Sequence, residues 1–132
     1  VFYVHLYADR FCPMHVAHLD DQGGNKVRMK WFGSNTNLHS VWDSKLIEYK
    51  GFSYTEYASY LHDVYGHQRK DILRMSEGET LLHTYHVTDA IYQYHSTWSG
   101  NTYHYAYRWV ETAEYQMYMA GVRLAKHLNE LF

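Results

Sequence analysis

From Glu79 to its end the chain carries two long runs of helical pattern, Glu79 to Trp98 and Thr102 to Leu131, parted only by the turn Ser99-Gly100-Asn101. Helices of that length gain most of their stability by burying a shared face, so a mostly helical domain is the expected fold. Upstream, Phe2 to Met14 reads as a helix that Pro13 ends or kinks, because proline lacks the amide donor and clashes with the preceding turn. Asp20 to Asn25 reads as a loop. Lys26 to Phe32 alternates, which predicts one short strand or arm with Val27, Met29 and Trp31 on one face, closed by a turn at Gly33 to Asn37. Asn37 can cap a helix over Leu38 to Tyr49, and Ser53 with Glu56 forms a capping box for Tyr54 to Tyr65. A short helix is expected over Gln68 to Met75, broken at Ser76-Glu77-Gly78. No linker, repeat or low-complexity run divides residues 1–132, so the expectation is a single, mainly α domain with one β excursion near residues 26–32.

Composition narrows the function classes. Twelve Lys and Arg against fourteen Asp and Glu give a net charge of −2, which argues against electrostatic binding to duplex DNA or an anionic membrane. No run approaches the roughly 18–20 apolar residues of a membrane span. The single cysteine, Cys12, excludes an intrachain disulfide and a cysteine-only zinc site. The eleven histidines are a store of metal ligands and acid–base groups. The opening V-F-Y-V-H-L-Y-A-D has no Met and no signal peptide, and reads as a helix already under way, as in a processed or trimmed piece.

Two pairs share one spacing. His5 with Asp9, and His39 with Asp43, stand i,i+4, which sets each pair on one helix face about a turn apart. His15 follows the kink at Pro13. Neutral imidazoles with carboxylates suit Zn²⁺, although such a pair is also an ordinary solvent-exposed hydrogen bond.

The words around these residues add more. H-L-Y-A-D-R-F-C-P-M-H (His5 to His15), D-D-Q-G-G-N (Asp20 to Asn25) and T-N-L-H-S-V-W-D (Thr36 to Asp43) resemble, in order and spacing, the S1/P1-type zinc-dependent nucleases. That family is related to bacterial zinc phospholipase C, and its pattern is H-x-x-x-D-x-H-Q-P-x-H, a G-G-N loop and N-L-H-x-x-W-D. The match runs from Val1 to Glu48, and the remainder is compatible with the family's C-terminal helices.

The resemblance implies a phospholipase C/nuclease-type helical fold. It implies that His5 and Asp9 belong to a close zinc pair, with Asp9 the bridging and catalytic carboxylate, and that His15, His39 and Asp43 hold a further zinc. Gly23, Gly24 and Asn25 would line the substrate pocket, where glycines permit close approach and the Asn amide can bond a base or phosphate. The implied reaction is zinc-dependent cleavage of single-stranded DNA or RNA, with 3′-nucleotidase activity, in which metal hydroxide attacks phosphorus and leaves a 5′-phosphate. The implied location is secreted or periplasmic.

The chain also departs from that pattern. Phe11 stands where the family usually has His and Cys12 where it has Gln; neither is expected as a direct ligand. Ala8 and Ala17 replace residues that are usually Gly, and Leu81 to Thr84 reads L-L-H-T instead of W-A-x-E. Only the family's C-terminal half is matched. The N-terminal half, which supplies a Trp amino group and carbonyl with further His and Asp ligands, has no counterpart here. Of up to three zinc sites in the family, one complete site is therefore expected, with the His5/Asp9 site half-built; a separate chain carrying the N-terminal half, a second copy or other histidines of this chain are the open routes to completing it. Two alternatives stay open: a zinc-binding helical fragment or redesigned scaffold without catalysis, and a phospholipase C-like zinc esterase. Cys12 reads as a half-buried apolar residue. No spacing singles out His18, His62, His67, His83, His86, His95 or His104 as ligands. Tyr103, Tyr105, Tyr107, Tyr115 and Tyr118 read as core and boundary residues of a helix, in preference to a base-stacking platform.

Overall fold

The computed structural model describes residues 2–132, so Val1, where the resemblance begins, lies outside them. The described chain is mainly α, with 72% of it helical. Helix α1 covers Phe2–Asp9. Its path tightens through hydrogen bonds from Phe11 N to Ala8 O and Cys12 N to Asp9 O, both 3.1 Å. The helix expected to reach Met14 stops there for a local reason. Cys12 precedes proline and is extended, with φ −81° and ψ 120°. A single 3-10 turn, Pro13–Val16, then leaves in a new direction.

The β excursion is a hairpin, not a lone strand. β1 (Arg28–Trp31) pairs antiparallel with β2 (Ser34–Asn37), Trp31 opposite Ser34. The polar run Ser34 to Asn37, expected as a turn, becomes a strand because Phe32 and Gly33 both take positive φ, 49° and 85°. That pattern makes a two-residue loop whose twist matches the strands. Phe32 stacks on Tyr49 at 5.9 Å and meets the edge of Tyr103 at 4.9 Å.

Helix α2 (38–48) starts at the Asn37 cap, whose side chain accepts from Ser40 N at 2.8 Å. It runs as an α turn Leu38–Ser40, a π segment Val41–Lys45 and an α turn Leu46–Glu48. α3 (Tyr54–Tyr65) carries the expected capping box at Ser53. α4 (Arg69–Arg74) follows a 3-10 turn, Gly66–Gln68. The Ser76-Glu77-Gly78 segment proves to be a helix start: Ser76 caps α5 (Glu77–Thr97) in a second capping box with Glu79. α6 spans Thr102–Leu131 from the Asn101 cap.

α6 is the spine, and two apolar clusters lie along it. Met14, Leu38, Val41, Trp42, Leu46, Ile91, Tyr105 and Trp109 surround its first half. Tyr7, Phe11, Tyr65, Ile72, Tyr118 and Met119 surround its second. Polar residues buried beside them are bonded. Glu114 is fully buried and accepts from the Tyr57 and Tyr65 hydroxyls at 2.8 and 2.9 Å, with Lys50 Nζ at 2.8 Å. Burial first, and then the Glu114 carboxylate, push both phenols above their ordinary value, so they stay protonated donors. Thr80, Thr84 and Thr88 form a buried stripe on α5. Among the described residues, no helix is long and apolar enough to cross a membrane.

Candidate metal centre

Three stretches meet at one edge of the first cluster: the end of α1, the turn after Pro13, and the start of α2. Asp9 Oδ2 lies 3.1 Å from His5 Nε2 and 3.5 Å from His15 Nδ1, so one carboxylate oxygen faces both imidazoles. The other ring nitrogen of His15, Nε2, lies 3.2 Å from Asp43 Oδ1. His39 stacks on His15, with ring centroids 5.3 Å apart and planes inclined by 17°. The reversal after Cys12 is what turns His15 toward α2, since a straight helix would have carried it onward.

The glycine loop holds His39 in place. Gly23 O lies 2.9 Å from His39 Nδ1, and Gly24 O accepts from His39 N at 3.3 Å. An imidazole that donates from Nδ1 to a carbonyl keeps its Nε2 lone pair free for a metal. Both glycines have positive φ, and an added Cβ would meet Met14 O at 2.8 Å from Gly23, or Met14 Sδ at 2.9 Å from Gly24. Asp21 Oδ1 fastens the loop by accepting from Gly24 N at 2.8 Å and from the Tyr92 hydroxyl at 3.0 Å. The Asn25 side chain, exposed, donates to Gln22 O at 2.8 Å.

The structure thus brings His15 and Asp43 together, with Asp9 on the other side of the His15 ring, and stacks His39 on His15 without placing a His39 nitrogen in the close group of donors. His5 sits at the rim, its side chain 70% exposed. Cys12 is half-buried, as its sequence context suggests, yet its position carries more than packing. Its Sγ, a His15 nitrogen and an Asp43 oxygen all lie within 4.8 Å of one another. Spacing gives no hint of this, because it says nothing about a residue that the proline turn folds back. The Cys12 side chain, followed by the Asp43 and Asp9 carboxylates, holds the His15 imidazole up at about 9 against the opposing effect of burial. A site that gathers negative charge around an imidazole before any cation arrives is chemically suited to Zn²⁺.

A second group, His18 with Asp20 and Asp21, lies on the glycine loop, where His18 stacks on Tyr92 at 4.0 Å. A cleft of about 260 Å³ opens beside the first group, lined by Phe11, Cys12, Trp42, Asp43 and Ala113 among others. Of the tyrosines on α6, Tyr105 and Tyr118 are buried, whereas Tyr103 and Tyr107 face solvent.

Residues 1–132 match the family model described as S1/P1 Nuclease. Endonuclease 3 of Arabidopsis thaliana is 26% identical over 149 aligned positions, which take in 100% of this chain and 50% of the relative. Endonuclease 4 of the same plant is 44% identical over 48 residues, 36% of this chain and 16% of the relative. Nuclease S1 of Aspergillus oryzae is 38% identical over 47 residues, again 36% of this chain and 16% of the relative. The chain spans no more than about half the length of these curated relatives.

Proposed function

Since this chain belongs to the S1/P1 nuclease family, we propose that it carries part of a zinc-dependent phosphodiesterase centre acting on single-stranded nucleic acid, with 3′-nucleotidase activity and 5′-phosphate products. The observation that carries this reading is His15 3.2 Å from Asp43, with His39 stacked on His15 and its Nδ1 tied to Gly23 O at 2.9 Å. His15, His39 and Asp43 would hold one zinc. His5 and Asp9 would be half of a second site, with Asp9 between the two. When bound, zinc supplies Lewis acidity and favours an ionised nucleophile at neutral pH.

The chain's own residues do the positioning. Gly23 orients His39, and the proline turn aims His15. The apolar cleft beside Asp43 offers a base a surface, and Gly23, Gly24 and Asn25 would contact the substrate, as the family pattern implies. Completion of the His5/Asp9 site takes donors from outside residues 1–132. A secreted or periplasmic location is part of the same proposal.

A second reading, zinc binding without catalysis, is favoured by the exposure of His5: among the described residues no group of three close donors includes His5, Asp9 or His39. One experiment separates them. Metal content is measured on chelator-free protein, with hydrolysis of single-stranded DNA followed alongside. Roughly one zinc per chain, lost in His39→Ala, without hydrolysis, favours the second reading. Two or more zincs with hydrolysis support the nuclease. A folded chain that holds no zinc sinks both. Cleavage of phosphatidylcholine in place of DNA would point to the esterase.

A further inference from the structure

We propose that the Cys12 thiolate is a fourth protein ligand of the His15–His39–Asp43 zinc site, closing the coordination position that would otherwise take water. This rests on the zinc-binding part of the reading above and favours, for this site, binding over catalysis; Cys12 stands where the resembled pattern carries Gln.

The argument begins with the backbone. Cys12 is extended because Pro13 follows, and His15 N donates back to Cys12 O at 3.0 Å. That hydrogen bond folds the four-residue segment so that the two side chains meet. The carbonyls on either side of Cys12 are both held from the core. Gln116 Nε2 donates to Phe11 O, and the Thr88 hydroxyl donates to Pro13 O, each at 2.9 Å. Thr84, Thr88 and Gln116 are buried, so Cys12 sits on a segment fixed from two helices.

The donors are also close enough. Tetrahedral zinc has Zn–S near roughly 2.3 Å and Zn–N or Zn–O near roughly 2.0 Å, which places donor atoms about 3.5 Å apart. Cys12 Sγ, the His15 nitrogen and the Asp43 oxygen already lie within 4.8 Å of one another, so small side-chain rotations suffice. His39, stacked on His15, stands next to that group, and its ring would turn to bring Nε2 in as the remaining donor. On coordination the thiol proton passes to solvent and sulfur binds as thiolate. Four protein ligands make a closed site of the structural kind, whereas three leave the open position that catalysis needs.

Cobalt(II) titrated into the metal-free full chain tests this. The expected result is tetrahedral visible bands together with an intense near-ultraviolet sulfur-to-metal band. Cys12→Ser should retain the visible bands and lose the near-ultraviolet one, and Cys12→Gln should do the same. Alkylation of Cys12 in the wild-type chain should slow by about tenfold or more when zinc is added, which keeps the test sound if either variant fails to fold. Cobalt bound with no near-ultraviolet band, and alkylation unaffected by zinc, overturns the Cys12 assignment while leaving the zinc reading intact. No binding of cobalt or zinc by folded wild-type protein overturns both.

Discussion

At Gly23, backbone conformation and the candidate metal centre meet in one residue. Its φ of +64° lets the carbonyl reach His39, and its missing side chain leaves room for Met14 O, which a Cβ would approach to 2.8 Å. Gly23→Ala should therefore weaken zinc binding by about tenfold to a hundredfold by releasing the His39 ring. Gly33→Ala is the control: it also has positive φ, +85°, with nothing within 4 Å of the added Cβ. It should cost about 1 kcal/mol of stability and leave zinc affinity unchanged. Chelator-competition titrations distinguish the two, and equal affinities for Gly23→Ala and wild type would falsify the loop's positioning role. Two histidines outside the centre set an acid dependence. Burial pushes the imidazoles of His83 and His95 below their usual value, with Gln116 partly opposing this at His83. Their folded pKa values lie below the unfolded value of about 6.5, so the unfolded chain binds more protons just beneath that pH. Their contribution to stability should then be level above pH ~6.5 and fall as pH drops from there through the folded pKa values, whereas the raised value of His15 acts only above that pH. Urea midpoints measured against pH should show this decline, and His83→Gln with His95→Gln should flatten it; an unchanged slope in the double variant rules the explanation out.

Among the elements, α5 and α6 support the centre through buried polar contacts. Thr88 on α5 and Gln116 on α6 grip the carbonyls of Pro13 and Phe11, so the turn that aims His15 is held by helices distant in sequence. Thr88→Val should cost about 1–2 kcal/mol by leaving Pro13 O without that donor, and should weaken zinc binding as well. A stability loss with unaltered zinc affinity would confine Thr88 to a packing role. Glu114 on α6 has a structural task away from the centre. It gathers Tyr57, Tyr65 and Lys50 around one buried carboxylate, tying α3 to α6. Glu114→Ala should cost about 3 kcal/mol, since it removes the buried acceptor shared by Lys50 and two phenols, leaving Tyr65 only Glu111 O and Lys50 only the Tyr60 hydroxyl. Denaturant unfolding checks the magnitude, and a loss below about 1 kcal/mol would show that the cluster relaxes or hydrates freely.

For the molecule as a whole, zinc should act as a staple. In the proposed site it would join the proline turn to α2 at one edge, and a ligand that binds only the folded state stabilises it by mass action. Zinc at about a hundred times its dissociation constant should raise the unfolding free energy by about 2.7 kcal/mol. Thermal melts with zinc and with chelator should differ accordingly, and His39→Ala should remove the difference. Identical melts would mean that zinc does not bind the folded state preferentially.

Much of this architecture is legible in the sequence because it is local. Ser53 with Glu56 marks a helix start, Pro13 a stop, and the Thr102 to Leu131 pattern a long helix, since each depends on hydrogen bonds a few residues apart. The i,i+4 pairs His5/Asp9 and His39/Asp43 are likewise visible along single elements. Strand Ser34–Asn37 is not, because its polar residues pair only through the positive-φ turn at Phe32 and Gly33. The start of α5 at Glu77 resembles a break in the sequence, because the Ser76 cap looks locally like a turn. The stacking of His15 on His39, the Gly23 carbonyl on His39, and Cys12 beside His15 and Asp43 were decided by tertiary structure. Residue types and spacing along one helix follow from the sequence, but the meeting of side chains on different segments depends on how the proline turn, the glycine loop and α6 pack together.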